Sequence, residues 1–263
     1  MLLDVKIVRL ESVDSTHLYA LQLIEDGAIE KSLGSACVIV AEKQTDGIGR
    51  CNRKWISAAG NLFTSMVRKN DCGIDLGRLS LAVACAVRET IVEIAAECDN
   101  FCSEDLKLHW PNDVYYKNRK VSGILVAVSR EYVVISVGIN TNLSPDEGLQ
   151  VNKFYRTCSV KDHMLMTDEV VSNDNVLEKL YKKTEEWIFN LSNIGFSCIR
   201  SYWLRNISGI CCNITVKNGA DSISGYFSDI DSIGRIVLNV GEKNLLISSG
   251  DLFMNQEGII TQK

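Results

Sequence analysis

The period of the apolar residues changes once along this chain, and that change constrains the fold more than any other feature. Up to about Ser144, short β-branched runs recur: VKIVRLE opens the series, ACVIVAE and NLFTSMV flank a loop with two glycines, and LKLHW, VSGILVAVS and YVVISVGI follow. Among them, residues 79–97 place Leu79, Val83, Ala86, Val87, Ile91 and Ile94 on one helical face. Asp14-Ser15-Thr16 supplies N-cap oxygens for an earlier helix running to about Asp26-Gly27. Strands alternating with helices predict an α/β (α+β) fold, a mixed β-sheet covered by helices. Beyond a polar loop to about Thr167, an amphipathic helix is expected around residues 175–193, then a helical turn through CIRSYWLRN. From Ile210 the period falls to two, punctuated by Gly and Asp turns, which predicts a small all-β module. The expected division is residues 1–206 and 207–263.

A chain of 263 residues accommodates such a pair of units. With 46% hydrophobic residues, 23% charged and two prolines, it reads as an ordinary globular protein. The net charge of −5 argues against a nucleic-acid or anionic-membrane partner, so neither DNA nor membrane is expected. MLLDVKIVRLESVDS lacks the basic start and apolar middle of a signal peptide, and the run near LAVACAV is too short to span a bilayer, so a cytoplasmic location is expected. Ten cysteines without a C-x-x-C pair, beside three histidines, predict no metal site. His17 and His163 have no partner pattern and read as ordinary polar residues.

Two stretches carry chemistry. In EKQTDGIGRCNRKW, Gly47 and Gly49 leave backbone bare, where N–H groups can form an anion nest. Arg50 and Arg53 can add charge-assisted bonds to phosphate or carboxylate oxygens. Trp55 is either a core ring beneath this loop or part of a binding wall. In HWPNDVYYKNRKVSGIL, a ring, a rigid turn and two polar side chains, Asn112 and Asp113, end a strand, and Lys120 precedes an apolar strand containing Gly123. Asn112-Asp113 reads as a turn, with Asp113 as its support.

Together these stretches resemble the biotin protein ligases. The family signature G-R-G-R-x-G-R-x-W is matched by residues 47–55, K-W-P-N-D by residues 109–113, and R-K-x-x-G-I-L by residues 119–125. Asp14-Ser15-Thr16, Gln44 and the VGIN of residues 137–140 extend the match. Ile48 and Asn52 replace an Arg and a Gly of the first signature, and His109 replaces the Lys of the second.

The resemblance implies a C-terminal SH3-like β-barrel and a two-step reaction. Biotin is activated by ATP, with Mg²⁺, to biotinyl-5′-AMP, and then passes to a lysine of the biotin carboxyl carrier domain of a biotin-dependent carboxylase. It implies Lys120 and Arg50 as catalytic residues. Biotin would be bound by Ser15, Thr16, Gln44, Gly47, Ile48, Arg50, Lys120 and Gly123, and the nucleotide side by Gly49, Arg50, Arg53, Asn112, Lys120 and Asn140. The match begins near residue 5, so a form without an N-terminal DNA-binding domain is expected, as monomer or homodimer. Lipoate or octanoate transfer on the same fold is the alternative chemistry.

Overall fold

The computed structural model describes residues 5–33, 36–70, 73–143, 157–166 and 169–254. Residues 144–156, most of the expected polar loop, lie outside the described residues, as does the side chain of His163.

Seven strands form the larger sheet: β1 (Lys6–Val13), β2 (Ala36–Gln44), β3 (Leu62–Lys69), β4 (Leu106–His109), β5 (Asp113–Tyr116), β6 (Arg119–Ser129) and β7 (Tyr132–Ile139). Their order is β1-β2-β3-β7-β6-β5-β4. Only β1 and β2 run parallel; the other neighbours are antiparallel, so the sheet is mixed, as the alternating sequence predicts. Among the described residues four α-helices accompany it, α1 (Thr16–Glu25), α2 (Leu76–Ala95), α3 (Asn173–Asn193) and α4 (Phe196–Asn206).

Strand periodicity assigns the two faces of this sheet. On β7, Val133, Ile135 and Val137 join the large core with Leu79, Val83 and Val87 of α2, while Tyr132 and Val134 join a smaller core with Ala20 and Ile24 of α1. Helix α2 is buried on nearly every side from Leu79 to Val87 because it lies between the sheet and helices α3 and α4. It starts earlier than the sequence predicts: Asp75 caps it by accepting the Arg78 N–H at 2.9 Å. Asp113 differs more, since it opens β5 instead of sitting in a turn.

The C-terminal strands β8 (Asn213–Asn218), β9 (Asp221–Ile230), β10 (Ile236–Val240), β11 (Lys243–Ile247) and β12 (Asp251–Met254) form a separate sheet in the order β11-β10-β9-β8-β12, antiparallel throughout. It seats against the end of β4: the Trp110 indole N–H donates to Gly234 O at 3.0 Å, and His109 Nε2–H donates to Leu252 O at 3.0 Å. No helix among the described residues is long and apolar enough to cross a membrane.

Candidate functional site

The α1 face of β7 continues past the small core as Ser136 and Gly138, and Asn140 follows at the strand end with the same two-residue spacing. Gly123 of β6 pairs with Gly138, which leaves a bare stretch of sheet. The indole of Trp55 lies on it, and a Cβ at either glycine would stand 2.9 Å from ring carbons. The ring is therefore part of the wall of a cavity of about 380 Å³ that opens here. Strand spacing orders this cavity along β7: hydroxyl at Ser136, bare backbone at Gly138, amide at Asn140.

At the hydroxyl end, α1 delivers Ser15 and Thr16, both buried. Ser15 takes the N-cap position without its hydroxyl bonding the helix, while Asp14 Oδ1 accepts the Ser15 N–H at 2.6 Å. Gln44 at the end of β2 accepts the Thr16 N–H at 2.8 Å and donates through Nε2 to Ser57 Oγ at 2.8 Å. Ser65 and Ser136 complete a row of hydroxyls beneath them, and His17 closes it with Nδ1 2.8 Å from Ser136 Oγ. His17 thus has a partner that its sequence context did not reveal: it is buried against Ser136, and burial lowers its pKa to about 4.

At the other end Lys120 Nζ sits 2.6 Å from Asp113 Oδ2 and 5.2 Å from the centroid of the Trp55 ring. Asn112 accepts Arg50 Nη1–H at 3.2 Å and donates to Ile124 O at 2.7 Å, so it aims the guanidinium. Asn140 is buried and lines the cavity near the Lys120 backbone. Asp113 Oδ1 and Trp55 Nε1 are buried with no hydrogen-bond partner among the described residues, the condition of groups that a ligand or water satisfies.

The glycine loop is a small hairpin. Gly49 N–H donates to Arg53 O at 2.7 Å, Trp55 N–H to Gly47 O at 2.7 Å, and Arg53 N–H to Arg50 O at 3.1 Å. Cys51 and Asn52 at its tip have φ of 54° and 56°, the two left-handed positions of a type I′ turn. Asn52 suits that geometry, which accounts for its place where the family signature has Gly.

Three of the loop's backbone N–H groups, those of Gly49, Arg53 and Trp55, are therefore spent inside the hairpin and do not contribute to the expected anion nest. Gly47 differs from expectation as well. It is buried outside the cavity wall, and a Cβ there would lie 2.6 Å from both Ser57 Oγ and Trp55 O. Its bare Cα serves packing of the loop, whereas the side chains of Ile48, Arg50 and Arg53 line the cavity.

The C-terminal sheet supplies the last wall. Arg53 forms a two-pronged pair with Asp251 at 2.9 and 2.8 Å, and Arg50 Nη1 approaches Gly250 O at 3.5 Å. His109 stacks on Tyr115 with centroids 4.4 Å apart, and burial, only partly opposed by Asp113, holds its pKa below the usual imidazole range. His109 therefore ties the two sheets together as a neutral strut. Of the residues expected from sequence, Ser15, Thr16, Gln44, Ile48, Gly49, Arg50, Arg53, Asn112, Lys120, Gly123 and Asn140 meet in one cavity. Sequence reading missed His17, Ser136, Asp251 and Leu252, which also line it.

A family model, the biotin/lipoate A/B protein ligase family, matches residues 10–142. The chain is 27% identical to a biotin–[acetyl-CoA-carboxylase] ligase of Paracoccus denitrificans, over 93% of this chain and 98% of that one. It is 29% identical to the enzyme of the same description from Mycobacterium tuberculosis, over 82% and 77%. A solved structure of biotin protein ligase from Aquifex aeolicus in complex with biotin and ATP superposes with a TM-score of 0.79 at 24% identity, covering 95% of this chain and 99% of that one. At that identity the likeness is one of fold.

Proposed function

The chain belongs to the biotin/lipoate A/B protein ligase family, and from that premise we propose that it is an ATP-dependent biotin–protein ligase. One observation carries the choice of substrate: the cavity has a hydrogen-bonding end at Thr16, Gln44 and Ser136 and a cationic end at Lys120 and Arg50. Biotin has matching ends, a ureido ring and a carboxylate. The dithiolane of lipoate and the alkyl tail of octanoate have no N–H group to offer this polar end, so they would displace water from it without replacing the lost hydrogen bonds.

In the first step a carboxylate oxygen of biotin attacks the α-phosphorus of ATP. A phosphorus–oxygen bond forms to give biotinyl-5′-AMP, and pyrophosphate leaves. Two anions must approach, so fixed positive charge is the main requirement. Lys120, oriented by Asp113, and Arg50, oriented by Asn112, provide it. Asn140 and Arg53 belong to the nucleotide side. Mg²⁺ would arrive with the triphosphate and help neutralise it. The acidic side chains that line the cavity, Asp113 and Asp251, pair with Lys120 and Arg53.

In the second step a lysine amine of the acceptor attacks the acyl carbon, and AMP leaves. The acceptor is a biotin carboxyl carrier domain of a biotin-dependent carboxylase, modified in the cytoplasm. A closed hairpin keeps water from the acyl phosphate meanwhile. Pyrophosphate release from ATP tests the reading: biotin should stimulate it and lipoate and octanoate should not. Stimulation by lipoate alone would move the chain to the other branch of its family.

A further inference from the structure

The hydroxyls beneath the cavity form an unbroken chain whose direction can be deduced. Gln44 fixes one end. Its Oε1 must face the Thr16 backbone N–H, which can only donate, so Nε2 points to Ser57. Thr16 Oγ1 is 3.2 Å from the same Oε1, Ser65 Oγ is 3.0 Å from Thr16 Oγ1, Ser136 Oγ is 2.8 Å from Ser65 Oγ, and His17 Nδ1 is 2.8 Å from Ser136 Oγ.

Each hydroxyl has one proton to give. If Thr16 donates to Gln44, Ser65 donates to Thr16, Ser136 to Ser65, and His17 Nδ1 must then carry a hydrogen and donate to Ser136. All four contacts become hydrogen bonds. In the reverse direction the Thr16 proton turns to Ser65, and two lone pairs face each other at the Thr16–Gln44 contact. That direction makes one hydrogen bond fewer and sets two buried acceptor oxygens 3.2 Å apart, so the first direction is favoured. His17 lies in the first turn of α1, where the helix dipole disfavours an imidazolium, so the donor is neutral imidazole with its hydrogen on Nδ1.

We propose that His17 is a positioning residue for the ring of the acyl substrate: as an Nδ1–H donor it locks the chain in the one direction that makes all four contacts hydrogen bonds, which holds Ser136 and Thr16 in place with their protons spent inside the chain and a lone pair each left for the cavity. The wall then reads N–H donors. A cyclic urea offers two such groups, and a dithiolane or an alkyl chain offers none. This specificity role rests on the reading of the site as a biotin site. The direction of the chain is a property of the free protein.

The test has two parts. In ¹⁵N-histidine spectra of the free protein at pH 7, assigned with His17→Asn, His17 should be the neutral Nδ1–H tautomer. An Nε2–H tautomer would overturn the proposal whether or not the protein proves to use biotin. In steady-state assays, His17→Leu and Ser136→Ala should each raise KM for biotin roughly tenfold or more, as expected when a buried polar group loses its partner, with KM for ATP unchanged. His17→Asn keeps an N–H donor at the position of Nδ1 and should stay near wild type. Equal changes in both KM values, or an Asn variant as poor as the Leu variant, would reduce His17 to a packing residue. A wild-type protein without any biotin-dependent turnover would overturn the specificity role together with the functional reading, while the tautomer would still decide the direction of the chain.

Discussion

Lys120 is held before any substrate arrives, by Asp113 on one side and the Trp55 ring on the other. Lys120→Ala should lower adenylate formation by about 10²–10³-fold, the usual effect of removing one transition-state charge stabiliser. Circular dichroism should stay unchanged. Pyrophosphate release within a few-fold of wild type would remove Lys120 from the chemical step. This residue was legible in the sequence because its neighbours form a contiguous motif that ends in a strand. The hydroxyl chain was not legible: His17 and Ser136 are 119 positions apart, Ser65 and Ser136 71, and Thr16 and Ser65 49. Single serines inside apolar strands do not say which partners they meet, and the sheet order β3-β7 beneath α1 brings them together. The one clue was that Ser65, Ser136 and Thr16 interrupt segments otherwise chosen for burial.

Among the elements, the hairpin of residues 47–55 makes the sharpest distinction between its two glycines. A methyl group at Gly47 would meet Ser57 Oγ and Trp55 O at 2.6 Å, whereas at Gly49 it would meet only Arg53 O, at 3.5 Å. Calorimetry should therefore find biotin affinity at least roughly tenfold weaker in Gly47→Ala, because Gln44 and Trp55 both shift, an effect in the range of overpacked cores. Gly49→Ala should bind biotin nearly as well as wild type. Equal losses in both variants would mean that the two glycines serve ligand approach and not loop packing. Sequence reading found this element but assigned its mechanism to backbone N–H groups. It could not see that the chain closes on itself through Gly49–Arg53 and Gly47–Trp55 bonds, since pairing across a turn depends on the φ values of Cys51 and Asn52. The helices and strands of the larger sheet were readable from periodicity, apart from β5, whose four residues were hidden behind the turn-like Asn112-Asp113 pair.

For the whole molecule, the C-terminal sheet is a working wall of the cavity, joined to the hairpin by Arg53–Asp251. Both side chains are more than a third exposed, so the pair adds little stability, at most about 1 kcal/mol. Asp251→Ala should leave thermal unfolding almost unchanged yet raise the dissociation rate of bound biotinyl-AMP several-fold; an unchanged rate would make the pair incidental. Stability should also depend on pH. His17 has a pKa of about 4 in the folded protein and the usual value near 6.5 when unfolded, so between these values the unfolded chain binds more protons. Stability should fall as pH drops through that window, by up to about 3 kcal/mol, and His109, also shifted down, acts in the same direction. Denaturant melts of His17→Asn should show a shallower loss between pH 6.5 and 4. The most direct measurement of the whole account is to mix the protein with biotin and ATP, separate it rapidly from free ligands, and determine by mass spectrometry what it retains. A cavity that joins a urea-reading end to a cationic end beneath a latched hairpin should hold one biotinyl-5′-AMP per chain. Retention of biotin alone, or release of pyrophosphate with no adenylate kept, would contradict it.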